Sequence, residues 1–229
     1  MITHRLPPLE MRRVLSFEHT RLVPFGPGSY RKVHELQLQL VQTRGQEKGP
    51  DVILLGEHER VITLGRATKD PLPDLPIPVE RIERGGQATW HGPGQLVGYP
   101  ILDLQELGIS VRTYLRELEL SLIDALAVWE IEGEVRDGAT GVWVGSHKIA
   151  SLGVAVRRWI TYHGFALNVA PDLEDFGLIQ PCGYSAEVMT SMAQLLPEPP
   201  SLNEMSLRVV QCLVRRLQLA PPIWESAIA

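Results

Sequence analysis

The chain has 229 residues, 44% of them hydrophobic and 21% charged, and a formal net charge of −5. That length admits one large domain or two small ones, and it suffices to bury a sizeable core. The acidic balance argues against bulk nucleic-acid affinity, and two cysteines are too few for a disulfide framework or a cysteine-only zinc site.

Met1 to Pro8 lacks the apolar stretch of a signal peptide, and no apolar run is long enough to span a membrane. The expectation is a cytoplasmic protein with reduced thiols and no membrane contact. Residues 1–12 read as a loose extension and 13–229 as a single domain. Ser29 to Arg44 predicts a helix, with Val33, Leu36 and Leu40 on one face and Gly45 as its stop. Val52–Leu55 and Val61–Leu64 predict short strands. Asp70 to Pro78 carries four prolines and predicts an irregular loop. Val97 to Leu104 predicts a strand, with Pro100 pointing to a sheet edge or a bulge.

The clearest helix is Val111 to Ile131, where Val111, Leu115, Leu118, Leu122, Leu126 and Trp129 recur every three or four positions. Ser110 suits its N-cap and Gly133 its stop. Val142–Val144 and Lys148–Val156 flank Gly145-Ser146, which suits a type II′ hairpin. Ile160 to Val169 predicts a further strand. Ser201-Leu202-Asn203-Glu204 is a capping box opening a helix to about Leu219, with Met205, Val209, Leu213 and Leu217 on its apolar face. Helices grouped around strands, without regular alternation, predict an α+β domain.

Several motifs are absent. Gly92, Gly94 and Gly98 form G-x-G-x-x-x-G ahead of a strand, where a dinucleotide fold needs G-x-G-x-x-G ahead of a helix. There is no Walker A sequence and no G-x-S-x-G elbow. The seven histidines are scattered, none three or four apart, so no metal is expected.

Three clusters could carry chemistry. Arg84 to Gln95 is polar and Gly-rich; its backbone N–H groups could face an anion or a developing oxyanion, or the block could be a plain surface turn. Gly145 to Gly153 holds Lys148 inside a largely apolar strand. That lysine either snorkels to solvent or is held inside, where it needs a partner and can depress a neighbour's pKa. Gln180-Pro181-Cys182-Gly183-Tyr184 sets a cysteine between backbone-shaping residues. Cys182 is open to a structural or a nucleophilic role, whereas Cys212 on the apolar-rich C-terminal helix reads as a packed hydrophobe. Two weaker candidates are the pair His163 and Asn168, where a satisfied core histidine is the alternative, and Arg157-Arg158, which could dock an acidic partner or simply be solvated.

The run RGGQATWHGPGQLVGYPILDL resembles the signature of the lipoyl(octanoyl) transferases, and the resemblance continues in order through GVWVGSHKIASLG, HGFALN and PCG. It covers roughly Ser29 to Leu217. It implies a biotin/lipoate protein ligase-like catalytic domain with a mixed sheet and flanking helices. It also implies transfer of an octanoyl or lipoyl group from acyl carrier protein to a lysine of lipoyl domains, in 2-oxoacid dehydrogenase complexes and glycine-cleavage H protein. Cys182 would be the acyl-thioester nucleophile and Lys148 the residue that lowers its pKa. Arg84, Gly85, Gly86, Gln87, Ala88, Thr89, Trp90 and His91, with Ser151, Leu152, Gly153, Gly164, Phe165 and Ala166, would hold the acyl group.

The chemistry of these residue types is compatible. Exchange of one thioester for another is close to neutral and needs no ATP or other cofactor, which fits the missing P-loop. The acidic balance leads to the expectation of no nucleic-acid partner, and a monomer is the default. Two alternatives differ in class: an ATP-dependent lipoate or biotin protein ligase, and a non-catalytic module that binds carrier protein.

Overall fold

The computed structural model describes residues 19–46, 49–69, 74–179 and 186–228. The expected extension at 1–12, part of the expected proline-rich loop and the whole Gln180–Tyr184 block lie outside the described residues. In chain order the elements are β1 (Thr20–Gly28), α1 (Tyr30–Gln46), β2 (Val52–His58), β3 (Val61–Leu64), β4 (Val79–Arg81), β5 (Ala88–His91) and β6 (Gln95–Ile101). There follow α2 (Leu104–Leu107), α3 (Val111–Leu126), β7 (Val142–Val144), β8 (His147–Arg157), β9 (Ile160–Asn168), α4 (Met192–Leu195), α5 (Leu202–Leu217) and β10 (Pro222–Trp224).

Strands β2, β6 and β9 are largely apolar without alternation, the pattern of strands covered on both faces. They form the middle of a mixed seven-stranded sheet of order β10-β1-β2-β6-β9-β8-β7. Strand β1 runs parallel to β2 and β10, and the remaining pairs are antiparallel. One face packs on α3 and α5 through Ile53, Leu55, Leu96, Phe165 and Leu167. The other packs on α1 through Val52, Leu54, Val97, Tyr99 and Tyr162. Period-2 side-chain direction thus feeds two cores from the same strands. A second sheet, β4-β3-β5, carries its own apolar cluster with Ile62, Ala88, Trp90 and Phe176. The α+β class with a mixed sheet and flanking helices is as expected. Among the described residues no helix is long and apolar enough to cross a membrane.

The helix caps follow their local chemistry. Ser110 accepts from Thr113 N at the start of α3, and Ser201 and Glu204 form both bonds of the capping box on α5. At the hairpin, Gly145 has φ 54° while Ser146 is not left-handed, which fits type II′. Arg157-Arg158 falls at the β8–β9 turn, where Arg158 and Trp159 are both left-handed. Cys212 is 1% exposed within the α3/α5 core, and burial pushes its thiol pKa up.

Other expectations need correction. The buried face of α1 is Val33, Gln37, Val41 and Arg44, and Leu36 and Leu40 flank it half-buried. Apolar periodicity misses this face because Gln37 and Arg44 find buried partners: Gln37 Oε1 accepts from His163 N, and Arg44 Nε donates to Asp51. The helix also runs through Gly45 to Gln46. Strand β6 ends at Ile101, and Asp103 caps α2 by accepting from Gln105 N and Glu106 N. Pro100 sits in a central strand, neither at an edge nor in a bulge. Its missing N–H falls on the β9 side, beyond the last β6–β9 pair at Gly98, and its carbonyl accepts from Thr161 Oγ1. Helix α3 stops at Leu126, followed by a tighter turn over Ala127–Trp129 that closes on left-handed Glu130, well before Gly133.

Gly98 matters to the central packing. A Cβ there would lie 2.2 Å from the ring of Phe165 on β9. Gly98→Ala is expected to cost about 1–3 kcal/mol through overpacking, read as a lower denaturation midpoint at unchanged slope.

Candidate active site

A narrow pocket opens beside the middle of the large sheet. Strand β5 contributes Thr89 and His91, the turn before it Arg84, and β8 contributes Ser151, Leu152 and Gly153. Strand β9 contributes His163 to Ala166, and Tyr30 and Tyr99 complete the lining. Three separate sequence blocks therefore converge on one cavity because β8 and β9 pair directly, Ser151 with Ala166 and Gly153 with Gly164.

Five of the residues expected to hold an acyl group do not line this pocket. Gly85, Gly86 and Gln87 are exposed on the turn before β5. Ala88 and Trp90 face the second sheet's own core, where the Trp90 ring packs at 5.3 Å on Phe176. Alternation along β5 explains this, because only Thr89 and His91 share the pocket face. Arg84 is 6% exposed; its Nη2 donates to Thr63 O at 2.7 Å and to Thr63 Oγ1 at 2.9 Å. That pairing fixes the guanidinium against the strand next to the pocket.

A buried chain of hydrogen bonds links the blocks. His91 Nδ1 meets Gln95 Oε1 at 2.8 Å, Gln95 Nε2 donates to Asn168 Oδ1 at 2.9 Å, and Asn168 Nδ2 donates to Thr190 O at 2.9 Å. Thr190 N then donates to Lys148 O at 3.0 Å. Because the amide oxygen of Gln95 can only accept, His91 carries its proton on Nδ1.

Lys148 is 2% exposed and does not snorkel to solvent. Its Nζ donates to Thr140 O at 2.8 Å and lies 5.5 Å from the centre of the Trp143 ring. The same peptide is pinned from its other side, where Gly141 N donates to Glu119 Oε1 at 2.9 Å. Burial raises the Glu119 pKa; the Gly141 N–H, Arg116 and Lys148 oppose that shift. Lys148 is not part of the pocket lining, and it stands three positions before Ser151 on β8, about 10 Å of strand. Cys182 lies outside the described residues, but the chain just downstream is held on this strand by a parallel bridge between Met189 and Lys148.

Sequence reasoning missed Tyr30, Tyr99 and Glu119. Tyr30 and Glu119 stand on helices where nothing in their spacing distinguishes them from other polar or aromatic positions. Gln95 and Asn168 stood inside motif blocks, and their burial at 1% each is the property that singles them out.

The family profile described as the lipoyl protein ligase A/B catalytic domain matches residues 29–214. An octanoyltransferase of Gloeobacter violaceus is 46% identical over 215 residues, covering 91% of this chain and 96% of its own length. Among solved structures, a lipoate-protein ligase A bound with ATP superposes with a TM-score of 0.73 at 16% identity, over 93% of this chain and 90% of its own. The biotin protein ligase of Aquifex aeolicus superposes with a TM-score of 0.51 at 14% identity, over 88% of this chain and 69% of its own. At these identities the structures speak for the fold.

Three histidines around the pocket are held neutral. Burial lowers His58 from 6.5 to about 4, with the Gly28 carbonyl opposing. Burial, then the charge of His58, lowers His91 to about 3. Burial, then His34, lowers His163 to about 2. A histidine depressed in the folded state binds fewer protons there than when unfolded, so stability is full above about pH 6.5 and falls as pH drops toward the folded value. Each such group contributes up to about 1.4 kcal/mol per pH unit to that slope. Replacing His58 by Gln is expected to remove one increment, read from urea midpoints between pH 7 and 4.5; an unchanged slope would show His58 charged in the fold.

Proposed function

Because the chain belongs to the lipoyl protein ligase A/B catalytic-domain family, and within it to the octanoyltransferases, we propose that it works through a thioester on Cys182. It is an acyltransferase that moves octanoyl groups in the lipoate pathway. The finer reading is that octanoyl-acyl carrier protein is the donor and a lysine of a lipoyl domain the acceptor, in 2-oxoacid dehydrogenase complexes and the glycine-cleavage H protein. The observation that carries it is the convergence of three sequence blocks on one pocket that is tied by buried hydrogen bonds to the backbone of the strand at Lys148.

The pocket walls suit a short acyl chain. Leu152, Phe165 and Ala166 offer apolar surface, and Gly153 and Gly164 let backbone form the wall. Cys182 Sγ attacks the octanoyl carbonyl carbon as a thiolate, which the Lys148 ammonium stabilises. The tetrahedral oxyanion takes hydrogen bonds from backbone N–H groups of the glycine-rich blocks. Its collapse breaks the bond to the carrier's phosphopantetheine sulfur, which leaves as a thiolate and takes its proton from the Lys148 ammonium, so that Lys148 becomes a neutral amine. One thioester replaces another, so no ATP is consumed. The acceptor amine then attacks the acyl-Cys182 carbonyl and passes its proton to Lys148, and Cys182 departs as thiolate. The two ligases named above share this fold at 16% and 14% identity, whereas the Pro181-Cys182-Gly183 block and a relative at 46% identity favour ATP-free transfer.

Glu119 is a positioning residue in this scheme. It holds the 140–141 peptide whose carbonyl fixes Lys148 Nζ, and its charge acts on that ammonium.

Two outcomes follow. Incubation of the protein with octanoyl-acyl carrier protein is expected to leave an octanoyl adduct on Cys182 in peptide mass spectra, and Cys182→Ala should lower transfer by more than about 1000-fold; full activity in that variant rejects the thioester route. Glu119→Gln keeps the acceptor for Gly141 N but removes the charge. It should lower kcat/KM on the order of 10-fold to 100-fold and move both limbs of the pH profile to lower pH, since thiolate and free amine are each then easier to form. A lower rate with an unmoved profile would leave Glu119 only a structural role.

A further inference from the structure

Beside the pocket, whose lining includes His163, one cluster joins three metal-ligating side chains from three distant stretches. His34 on α1, Glu83 before β5 and His163 on β9 each offer one ligand atom, and these atoms all lie within 4.8 Å of one another. It is the one such group among the described residues. His34 Nε2 stands 3.1 Å from Glu83 Oε2, and His163 Nε2 stands 3.7 Å from the same oxygen. A tetrahedral zinc ion bound at its usual distances holds its ligand atoms about 3.3 Å apart. The two separations, 3.1 and 3.7 Å, bracket that value.

The His163 side chain is 1% exposed, and its Nε2 is buried without a hydrogen-bond partner. A buried polar atom in that state costs free energy and calls for an explanation. Its surroundings hold the ring for this one direction. Tyr30 Oη lies 3.4 Å from Nδ1, an arrangement that fits Nδ1–H as donor and leaves the lone pair on Nε2. Gln37 Oε1 accepts from the His163 backbone N at 2.8 Å. Tyr30, His34 and Gln37 are spaced four and three apart, so one face of α1 supplies a ligand and both supports. The backbone of His163 is left-handed, with φ 54°, inside an otherwise regular strand. This turns the ring to the α1 side together with its neighbour Tyr162, the two rings 4.8 Å apart, where alternation would send it to the opposite face.

We propose that His34, Glu83 and His163 form a binding site for a borderline divalent cation, zinc above all, with a fourth position left to water. Two imidazoles and one carboxylate are a ligand set zinc accepts, and a cation bound only by oxygen ligands would gain little from the imidazoles. Binding replaces the His34–Glu83 hydrogen bond. If that proton sits on His34 Nε2, a tautomer shift moves it to Nδ1, and no proton is lost from the pair. Glu83 remains 46% exposed in its side chain, which leaves a path for the ion and room for the water ligand.

The test uses the full chain stripped with chelator and carrying Cys182→Ser, so that no thiolate competes. Titration with zinc chloride against a chromophoric chelator is expected to find one zinc per chain. His34→Ala and Glu83→Gln, both at positions that are at least partly exposed, should each weaken it by about 100-fold, and Tyr30→Phe, one bond further out, by about 10-fold. Cobalt(II) in the same protein should give the intense visible bands of four-coordination, absent in His34→Ala. Circular dichroism of each variant, matching the parent, separates lost ligation from lost fold. A parent that binds no zinc, or zinc that both the His34 and Glu83 variants retain at unchanged affinity, overturns the site.

Discussion

The buried hydrogen-bond run from the side chains of His91, Gln95 and Asn168 to the backbone of Thr190 and Lys148 constrains most of what surrounds it. Each link joins a different element, and each amide is almost fully buried, so a missed bond would cost about 1–3 kcal/mol with no water to compensate. The run therefore fixes how β5, β6, β9 and the segment around Thr190 meet. Asn168 pairs with Gln95 in the β6–β9 ladder, so side-chain and backbone registers agree. A slip of one residue would turn Asn168 away from Gln95 and expose the apolar set of β9 to the wrong core.

That register also places the glycines. A Cβ on Gly164 would meet Gly98 O at 2.1 Å, and one on Gly153 would meet Gly85 O at 3.0 Å. Backbone approaches backbone at these points, and the empty space beside them is the pocket. The cavity is thus a consequence of pairing two glycine-bearing strands within a sheet covered on both faces. Beside the pocket, helix α1 brings Tyr30, His34 and Gln37 to one buried histidine of its lining, His163. Lys148 is placed by a different rule: its ammonium is inside because Thr140 O, Trp143 and the Glu119 charge receive it there.

Much of this was legible in one dimension. Helices with strong apolar period and local caps, α3 and α5, begin where Ser110 and Ser201 place them, since a cap is a contact within four residues. The β7–β8 hairpin follows from Gly145-Ser146 for the same reason. The face of α1 was misjudged because its buried residues include Gln37 and Arg44, whose partners lie on β9, at Asp51 and at Glu106. Pro100 misled because its missing donor matters only relative to where β9 stops pairing. In the glycine-rich block, the motif gathered neighbours in sequence, whereas strand alternation in β5 sends Thr89 and His91 to one side and Ala88 and Trp90 to the other.

The sequence by itself determined the α+β class, the family, and the blocks from which a site is built, because motif residues and capping contacts are local and survive being read in order. Only the tertiary structure decided which members of those blocks share a cavity, what holds Lys148 inside, and that His34, Glu83 and His163 stand together. The physical reason is the same in each case. Long-range strand pairing and burial choose partners by geometry across more than a hundred residues, and neither composition nor spacing along the chain records that distance.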